Sequence, residues 1–390
     1  MSQVDTLFEE SCPDGVKFFA LGVIADISTG EKPTAKDLLL GGEVPFFNGG
    51  TKLSGFLPTS NTVSETVTVP ARGSVGIVGF QKNPFWCGPL CYRVTAKNGA
   101  GLSNRFLYFY MKSVERSIVS LQQTGSIPAL NKAQLQKVSI PVPPPEVQQE
   151  IVRILDTFTE LEAELEAELE ARKKQFSFYL WQMLEFPNRP EIWCKVKDVA
   201  EVRSGWGFPD ASQGANTGEI PFFKVSDMNL PMNKTKMHAA NNYVDAAMAT
   251  KLGVKPAPPG TVIFPKIGAA VGTNKKRILT EDSAYDNNVM GLVPNHLIDP
   301  MFLYYWMQTI DLLTLANDSG AVPSIRKSEM ELLQIPVPPK QEQAEIAEVL
   351  AKLDCLVNDI TFGLPAELDA RRKQYEYYRD ELLAFRELVP

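Results

Sequence analysis

Apolar positions along this chain follow two different rhythms. Over roughly 15–139, and again over 191–334, short apolar runs and β-branched clusters (63–69, 75–78 and 261–264) alternate with Gly and Pro breakers. That rhythm predicts short strands joined by turns, and so mixed globular domains. Each stretch closes on an aromatic segment of helical character, 106–111 or 302–307. A double proline follows, which excludes helix at its own residues and presets one just after. Beyond it the spacing becomes that of a long helix. Ile151, Ile154, Phe158, Leu161 and Leu165 recur at 3-4 intervals, and Leu169, Phe176, Leu180 and Met183 continue on a 3.6-residue stripe. In the second half Ile346, Val349, Leu353, Leu356 and Ile360 are followed by Leu368, Tyr375, Tyr378, Leu382 and Phe385. Gly363 and Pro365 interrupt that second stripe, where a kink or stutter is expected.

The chain is written twice. Gly42-Glu43-Val44-Pro45-Phe46-Phe47 recurs as Gly218-Glu219-Ile220-Pro221-Phe222-Phe223. Phe106-Leu107-Tyr108-Phe109-Tyr110-Met111 recurs as Phe302-Leu303-Tyr304-Tyr305-Trp306-Met307, and Gly125-Ser126-Ile127-Pro128 is echoed by Gly320-Ala321-Val322-Pro323. Ile140-Pro141-Val142-Pro143-Pro144 returns unchanged as Ile335-Pro336-Val337-Pro338-Pro339. Ala171-Arg172-Lys173-Lys174-Gln175-Phe176 returns as Ala370-Arg371-Arg372-Lys373-Gln374-Tyr375. The offsets run from 176 to 199, so each copy is domain-sized and not a solenoid repeat. A pseudo-twofold molecule is expected. The boundaries are 1–140 and 188–335 for the globular parts, and 141–187 and 336–390 for the long helices. The run 160–170 is strongly helix-forming and polar around most of its circumference. At ~1.5 Å per residue, 146–184 would extend roughly 58 Å, more than one domain's core needs. Such a helix needs a partner, and the matching helix of the other copy is the obvious one.

Composition narrows the chemistry. With 390 residues and 44% hydrophobic content, two ordinary cores are expected. No run approaches 18 apolar residues, so no membrane span is expected, and the first five residues lack the marks of a secretory signal. Five scattered cysteines suit a reducing cytosol, the expected location. The net charge of −7 argues at first against a polyanionic partner, but it is unevenly placed. Residues 146–186 hold 10 acidic and 4 basic groups and 340–390 hold 11 and 7, leaving 28 basic against 25 acidic elsewhere. The acid therefore sits in the two helical segments.

No catalytic constellation assembles. His238 and His296 are the only histidines and do not occupy repeated positions. Cys87 and Cys91 lack a second pair to complete a zinc set and read as small core residues. Asn83-Pro84-Phe85-Trp86 approaches the Asn-Pro-Pro-aromatic motif of amino-group DNA methyltransferases but lacks its second proline, and an ordinary turn is the simpler reading. Gly73-Ser74-Val75-Gly76-Ile77-Val78-Gly79 fits neither a dinucleotide fingerprint nor a P-loop, and neither does its counterpart at 266–272. A strand pair with a tight turn is expected there. What remains is binding. Lys266, Asn274, Lys275, Lys276 and Arg277 in one copy, with Lys224, and Lys52, Arg72, Lys82, Asn83, Arg93 and Lys97 in the other, are candidates for DNA contact. Arg and Asn match the edges of guanine and adenine, while Lys mainly contacts phosphate.

Two divergent globular segments, each followed by Ile-Pro-Val-Pro-Pro, a Gln-rich helix start (Gln148-Gln149-Glu150-Ile151; Gln341-Glu342-Gln343-Ala344-Glu345-Ile346) and a helix reaching Ala-Arg-[Lys/Arg]-Lys-Gln-[Phe/Tyr], form a specific combination. It resembles the specificity (S) subunit of bacterial type I restriction-modification systems over nearly the whole chain. The resemblance implies an α+β architecture of two similar mixed α/β target-recognition domains separated by two long antiparallel, coiled-coil-like helices. Each domain would read half of a bipartite, interrupted double-stranded DNA target. The helices, through Ile151, Phe158, Leu161, Leu165, Ile346, Leu353, Leu356 and Ile360, would act as spacer and docking surface for two modification (methyltransferase) subunits, with a restriction subunit joining them. S-adenosylmethionine, ATP and Mg would belong to those partners, and this chain would carry no cofactor or metal and catalyse nothing. Two other readings stand beside it. An enzyme with fused recognition domains would need a methyl-donor domain or a metal-binding carboxylate cluster, for which the repeats leave no space. A repeat scaffold that binds protein and not DNA would show no sequence preference on DNA.

Overall fold

β-Branched residues place Thr66–Pro70 at the heart of the first domain, buried along its whole length. The computed structural model describes residues 10–123, 128–317, 322–359 and 361–388. Thr66–Pro70 lies in an antiparallel sheet ordered Ala25–Thr29, Cys91–Ala96, Thr66–Pro70, Gly79–Gln81. Val67 and Val69 face the core that Val94 and Ile27 also line, as the two-residue period requires. A three-stranded sheet adds Gly55–Leu57, Val44–Phe47 and Trp86–Cys87, its middle strand antiparallel to the first and parallel to the last. Phe18–Ala20 pairs with Ser139–Pro141 to close the domain.

The second domain repeats each sheet in the same order. Ala200–Ser204, Val289–Pro294, Val262–Pro265 and Arg277–Leu279 form the larger one, extended by Lys236–Met237. Tyr243–Val244, Ile220–Phe223 and Ala284–Tyr285 form the smaller, again antiparallel on one side and parallel on the other. Trp193–Lys195 pairs with Gln334–Pro336. The duplication read from the motifs is therefore also one of topology.

Five helices matter below: α1 (Asn104–Ser113), α2 (Pro145–Leu184), α3 (Pro300–Gln308), α4 (Lys340–Asn358) and α5 (Leu364–Leu382). Ser103 caps α1 through the Phe106 N–H, and Asp299 caps α3 through the Met301 and Phe302 N–H groups, with Pro300 opening the helix. One glutamine per repeat joins cap, proline hinge and long helix. Buried Gln148 accepts from the Ser103 N–H (2.9 Å) and donates to the Gly101 and Pro143 carbonyls (2.6 and 2.8 Å). Buried Gln343 accepts from the Asp299 N–H (2.7 Å) and donates to the Leu297 and Pro338 carbonyls (3.1 and 2.8 Å). The sequence displays the glutamines; only the fold shows that they make the same clasp.

Two compact units emerge, and they cut across the repeats: 1–163 with 371–390, and 164–370. In the first unit, Ile151 and Leu155 of α2 share a core with Phe106, Val94, Leu382 at the end of α5 and Leu383 just beyond it. Burying each such leucine contributes about 1.5–3 kcal/mol. Phe158 stacks on Tyr378 (5.4 Å between centroids) and meets Tyr375 (6.5 Å), while Glu162 pairs with Arg372 at 2.6 Å, so the two helices run antiparallel there. The bonds from the Val16 N–H to the Arg386 carbonyl (2.9 Å) and from the Leu388 N–H to the Val16 carbonyl (2.9 Å) bind the chain's end into that unit. In the second unit, Leu180 and Leu184 of α2 pack with Ile346, Ala347 and Leu350 of α4. Arg189 meets Glu342 at 2.7 Å. Each unit's core is thus completed by helix from the other repeat.

Three expectations change. The segment 73–78 forms turns, and strand begins only at Gly79; at its counterpart, Ala269–Thr273 is a 3₁₀ turn. Gly73 and Gly268 both sit at φ +82, a conformation that glycine supplies to leave the strand abruptly. The second long helix is fully broken between Asn358 and Leu364, where α2 is continuous. Asp359 accepts from the N–H groups of Thr361 and Phe362 and ends α4, and a Cβ on Gly363 would lie 2.5 Å from the Cys355 carbonyl oxygen. Finally, the buried face of α4 is Ile346, Ala347, Leu350, Asp354 and Val357, whereas Val349 is 41% exposed. Both faces obey helical spacing, and the aspartate concealed the one that packs.

Candidate nucleic-acid interface

The glycines of the first domain bring two of its basic loops together. Loop 48–54 carries Lys52, and the loop after Pro70 carries Arg72; both side chains are exposed. The Ser74 N–H donates to the Gly49 carbonyl at 2.9 Å. A Cβ on Gly73 would lie 2.6 Å from that same oxygen, and one on Gly49 would lie 2.7 Å from the Arg72 carbonyl oxygen and 3.0 Å from the Leu90 side chain. Leu53, Phe56 and Leu90 are exposed around this junction, so it offers cations beside apolar surface. Among the described residues neither Lys52 nor Arg72 makes an ion pair. Lys82 and Asn83 are also exposed, but they lie at the other end of Thr66–Pro70, beyond the Thr66–Gln81 pair.

Two further candidates in this domain are committed to its own structure. Arg93 donates to the Ser28 hydroxyl (2.8 Å), the Asn61 carbonyl (2.9 Å) and the Thr62 hydroxyl (3.3 Å), tying the larger sheet to the loop before Thr66. Lys97 donates to the Gly22 and Val23 carbonyls (3.1 and 2.9 Å). Both are half-buried.

In the second domain the basic run 275–277 is not one patch. Lys276 is 1% exposed, donates to the Asn274 side chain at 2.7 Å and to the Ile310 carbonyl, and is pushed down to about 8 by burial. Arg277 donates to the Lys276 and Met228 carbonyls (2.8 and 3.1 Å), and burial lowers its pKa too. Asn274 takes the left-handed conformation (φ 52) and accepts from the Leu312 N–H at 2.9 Å. Of these three only Lys276 is buried; Asn274 and Arg277 are half-buried, with their polar groups engaged inside the domain. Lys275 binds the Asn229 side chain, Lys224 donates to Gln213 (2.9 Å), and Lys266 donates to the Ser204 hydroxyl (3.1 Å) with its pKa lowered by burial. Exposed cations nearby include Lys234 and Lys236, which motif reading passed over because nothing in the first copy matches them.

The expected docking residues divide as well. Ile151 and Ile346 are core; Phe158, Leu165, Leu353 and Leu356 are half-buried; Leu161 is exposed. Ile360 lies outside the described residues. The most exposed large apolar groups of α2 are Phe178 (62% exposed) and Trp181 (59%), and α5 exposes Tyr377 (62%). Their neighbours Phe176 and Leu180 belong to the expected stripe and pack in the second unit's core.

Among the described residues no group of three or more His, Cys, Asp or Glu could hold a metal, and no helix is long and apolar enough to cross a membrane. Cys87 and Cys91 are both buried, as small core residues should be.

Known proteins share this arrangement. The family model described as type I restriction modification DNA specificity domain matches residues 13–171 and again 191–370. A Haemophilus influenzae protein provisionally named type I restriction enzyme specificity subunit S.HindORF215P is 27% identical over 391 residues, covering 95% of this chain and 96% of that protein. The Escherichia coli type I restriction enzyme EcoR124I/EcoR124II specificity subunit is 33% identical over 261 residues, 64% of this chain and 63% of that one. The crystal structure of the S subunit of a type I restriction-modification system from M. genitalium covers 96% of both chains with a TM-score of 0.59 at 20% identity, a likeness of fold.

Proposed function

The chain belongs to the type I restriction-modification DNA specificity family, and we propose that it reads a bipartite, interrupted double-stranded DNA target, one half per domain, for catalytic subunits that it docks. Its own part is recognition and not catalysis. The observation that carries this reading is the duplication of topology without duplication of loops. The sheets recur in the same strand order, apart from the added Lys236–Met237, yet seven residues (48–54) separate Val44–Phe47 from Gly55–Leu57, and nineteen (224–242) separate Ile220–Phe223 from Tyr243–Val244. Similar scaffolds with dissimilar loops suit two different half-sites, whereas a homodimer reads a palindrome.

On this reading Lys52, Arg72, Lys82 and Asn83 in the first domain, and Lys224, Lys266, Lys275, Lys234 and Lys236 in the second, face DNA. The exposed Phe178, Trp181 and Tyr377 receive two modification subunits, with a restriction subunit completing the assembly in the cytoplasm. S-adenosylmethionine, ATP and Mg stay with those partners. The helices set the untouched gap: four residues added to each would change a span by about 6 Å, close to two base pairs. Mapping modified adenines after co-expression with modification subunits tests the reading. A two-part motif with a fixed gap is expected, and replacing loop 48–54 should alter one half alone. A contiguous motif would end the bipartite reading, and no sequence preference would favour a protein-binding scaffold.

A further inference from the structure

One exposed aromatic pair occurs twice. The motif Ala171-Arg172-Lys173-Lys174-Gln175-Phe176 aligns with Ala370-Arg371-Arg372-Lys373-Gln374-Tyr375, and two residues further on Phe178-Tyr179 of α2 matches Tyr377-Tyr378 of α5. Phe178 and Tyr377 are each 62% exposed, and Tyr179 and Tyr378 are 36% and 41% exposed. The rings meet edge to face in both pairs, at 5.6 Å and 72° in α2 and at 5.5 Å and 75° in α5. The α2 pair belongs to the second unit and the α5 pair to the first. Each unit therefore presents the same aromatic element, although the reading loops of the two domains differ in length.

The match ends along the helix face that carries each pair. Residues three and four apart share a face. In α2 the row is Lys174, Phe178 and Trp181, with the indole 59% exposed. In α5 it is Lys373, Tyr377 and Asp380, and Arg379 binds Asp380 at 2.7 Å. The flanks differ in the same sense: exposed Ser177 and Gln182 are neutral, whereas exposed Glu376 and Glu381 at the same places are acidic. One row ends on a tryptophan and the other on an ion pair.

A surface repeated with the same exposure and ring geometry, between domains whose loops diverge, fits one kind of partner bound twice. Identical partners cannot meet the two rows equally well. A socket that takes the indole gains the burial of Trp181, and tryptophan is among the residues that dominate interface energies. The same socket on α5 must desolvate Asp380 together with Arg379, a cost that their mutual attraction repays poorly.

We propose that two modification subunits dock on these aromatic pairs with unequal affinity, the row of Phe178 and Trp181 filling first. This rests on the reading that the chain docks two such subunits, and adds their order. When the modification subunit is scarce, a complex holding one subunit on α2 accumulates, and full assembly waits on the weaker α5 site.

Native mass spectrometry of the full chain titrated with purified modification subunit tests it. Two binding steps are expected, the first tighter by at least about tenfold beyond the statistical preference that identical sites give. Trp181→Asp should weaken the first step by about tenfold or more and bring the two together, while Asp380→Trp should strengthen the second and close the gap from the other side. Equal steps, an inequality that survives Trp181→Asp, or an unaltered second step in Asp380→Trp would each overturn the proposal and leave two-subunit docking standing. No binding of the modification subunit would end the docking reading itself, and the proposal with it. In sedimentation the chain alone should be a monomer; a dimer that Trp181→Asp dissolves would give this face to a second copy of the chain and overturn the proposal.

Discussion

An arginine ties the larger sheet to a neighbouring loop in both domains, but it stands on opposite strands. In the first domain Arg93 sits across the ladder from Ser28 and donates to the Asn61 carbonyl at 2.9 Å. In the second the arginine is Arg203, at the place of Ser28; Gly291 stands across from it, and the acceptor is the Pro256 carbonyl at 3.5 Å. Both acceptors belong to the loop that enters the central strand. A Cβ on Gly291 would lie 2.3 Å from the Tyr285 hydroxyl, so the second domain has no room for a side chain where the first has its arginine. The fold conserves the tie and not the residue that makes it. Position-by-position matching of the two copies would therefore miss the equivalence of Arg93 and Arg203.

The clasps are the sharpest test of equivalence. Replacing Gln148 or Gln343 by leucine keeps the volume but strands three partners, of which the Pro143 or Pro338 carbonyl is buried and should cost about 1–3 kcal/mol. Both variants should lose about 2–3 kcal/mol, by similar amounts, in urea unfolding followed by a probe within the affected unit. If one lost much and the other nothing, the two hinges would not be equivalent whatever their topology. Arg93→Met should follow with a loss of about 2–3 kcal/mol, and adding Ser28→Arg should restore part of it by moving the tie to the strand the second domain uses. Failure of that rescue would show that Arg203 depends on Glu201, which meets it at 2.7 Å, more than on the loop carbonyl.

How far sequence reading reached follows from what it can sense. Strand clusters, the duplication and the double-proline hinges were legible because they repeat, and repetition survives ignorance of the fold. The face of α4 was not, because leucines drew the eye and the buried row contains Asp354. The turn at 73–78 was not, because Val75 and Val78 are as buried as strand residues and only φ at Gly73 betrays the exit. Of the basic candidates, sequence found the exposed Lys52 and Arg72 but could not tell them from Lys276, whose burial depends on which side of a turn the backbone presents. Charge is visible in a sequence; direction is not.

The paired glycines isolate a smaller difference. Gly73 and Gly268 share φ +82, so alanine strains both backbones by about 1–3 kcal/mol. At Gly268 an added Cβ meets nothing within 4 Å, whereas at Gly73 it meets the Gly49 carbonyl oxygen at 2.6 Å. Gly73→Ala should therefore be the more destabilising, by about 1 kcal/mol or more, in matched melts. It should also disturb the loop that carries Lys52, weakening DNA binding where Gly268→Ala does not. Equal losses would mean that the two loops are less tightly joined than their contacts indicate.

The smallest expected effect separates α2 from α4. Thr159 of α2 satisfies its hydroxyl on the Leu155 carbonyl at 2.7 Å, while Asp354, one repeat later, holds a carboxylate whose burial raises its pKa. A carboxylate with a raised folded pKa binds its proton more tightly in the native state. Its ionisation therefore lowers stability as pH rises through that folded value, and it has no such effect below the unfolded value of about 3.9. Asp354→Asn removes the cost and keeps an acceptor for Thr235 or Asn358. Thermal melts should show the variant a few degrees above the parent at neutral pH, with roughly 2–4 °C corresponding to 1 kcal/mol in a domain of this size. That advantage should shrink toward zero as pH approaches 4. A gain that stayed constant with pH would trace to packing, and a loss at neutral pH would mean that the ionised carboxylate is held by the surrounding donors more strongly than its burial penalises it.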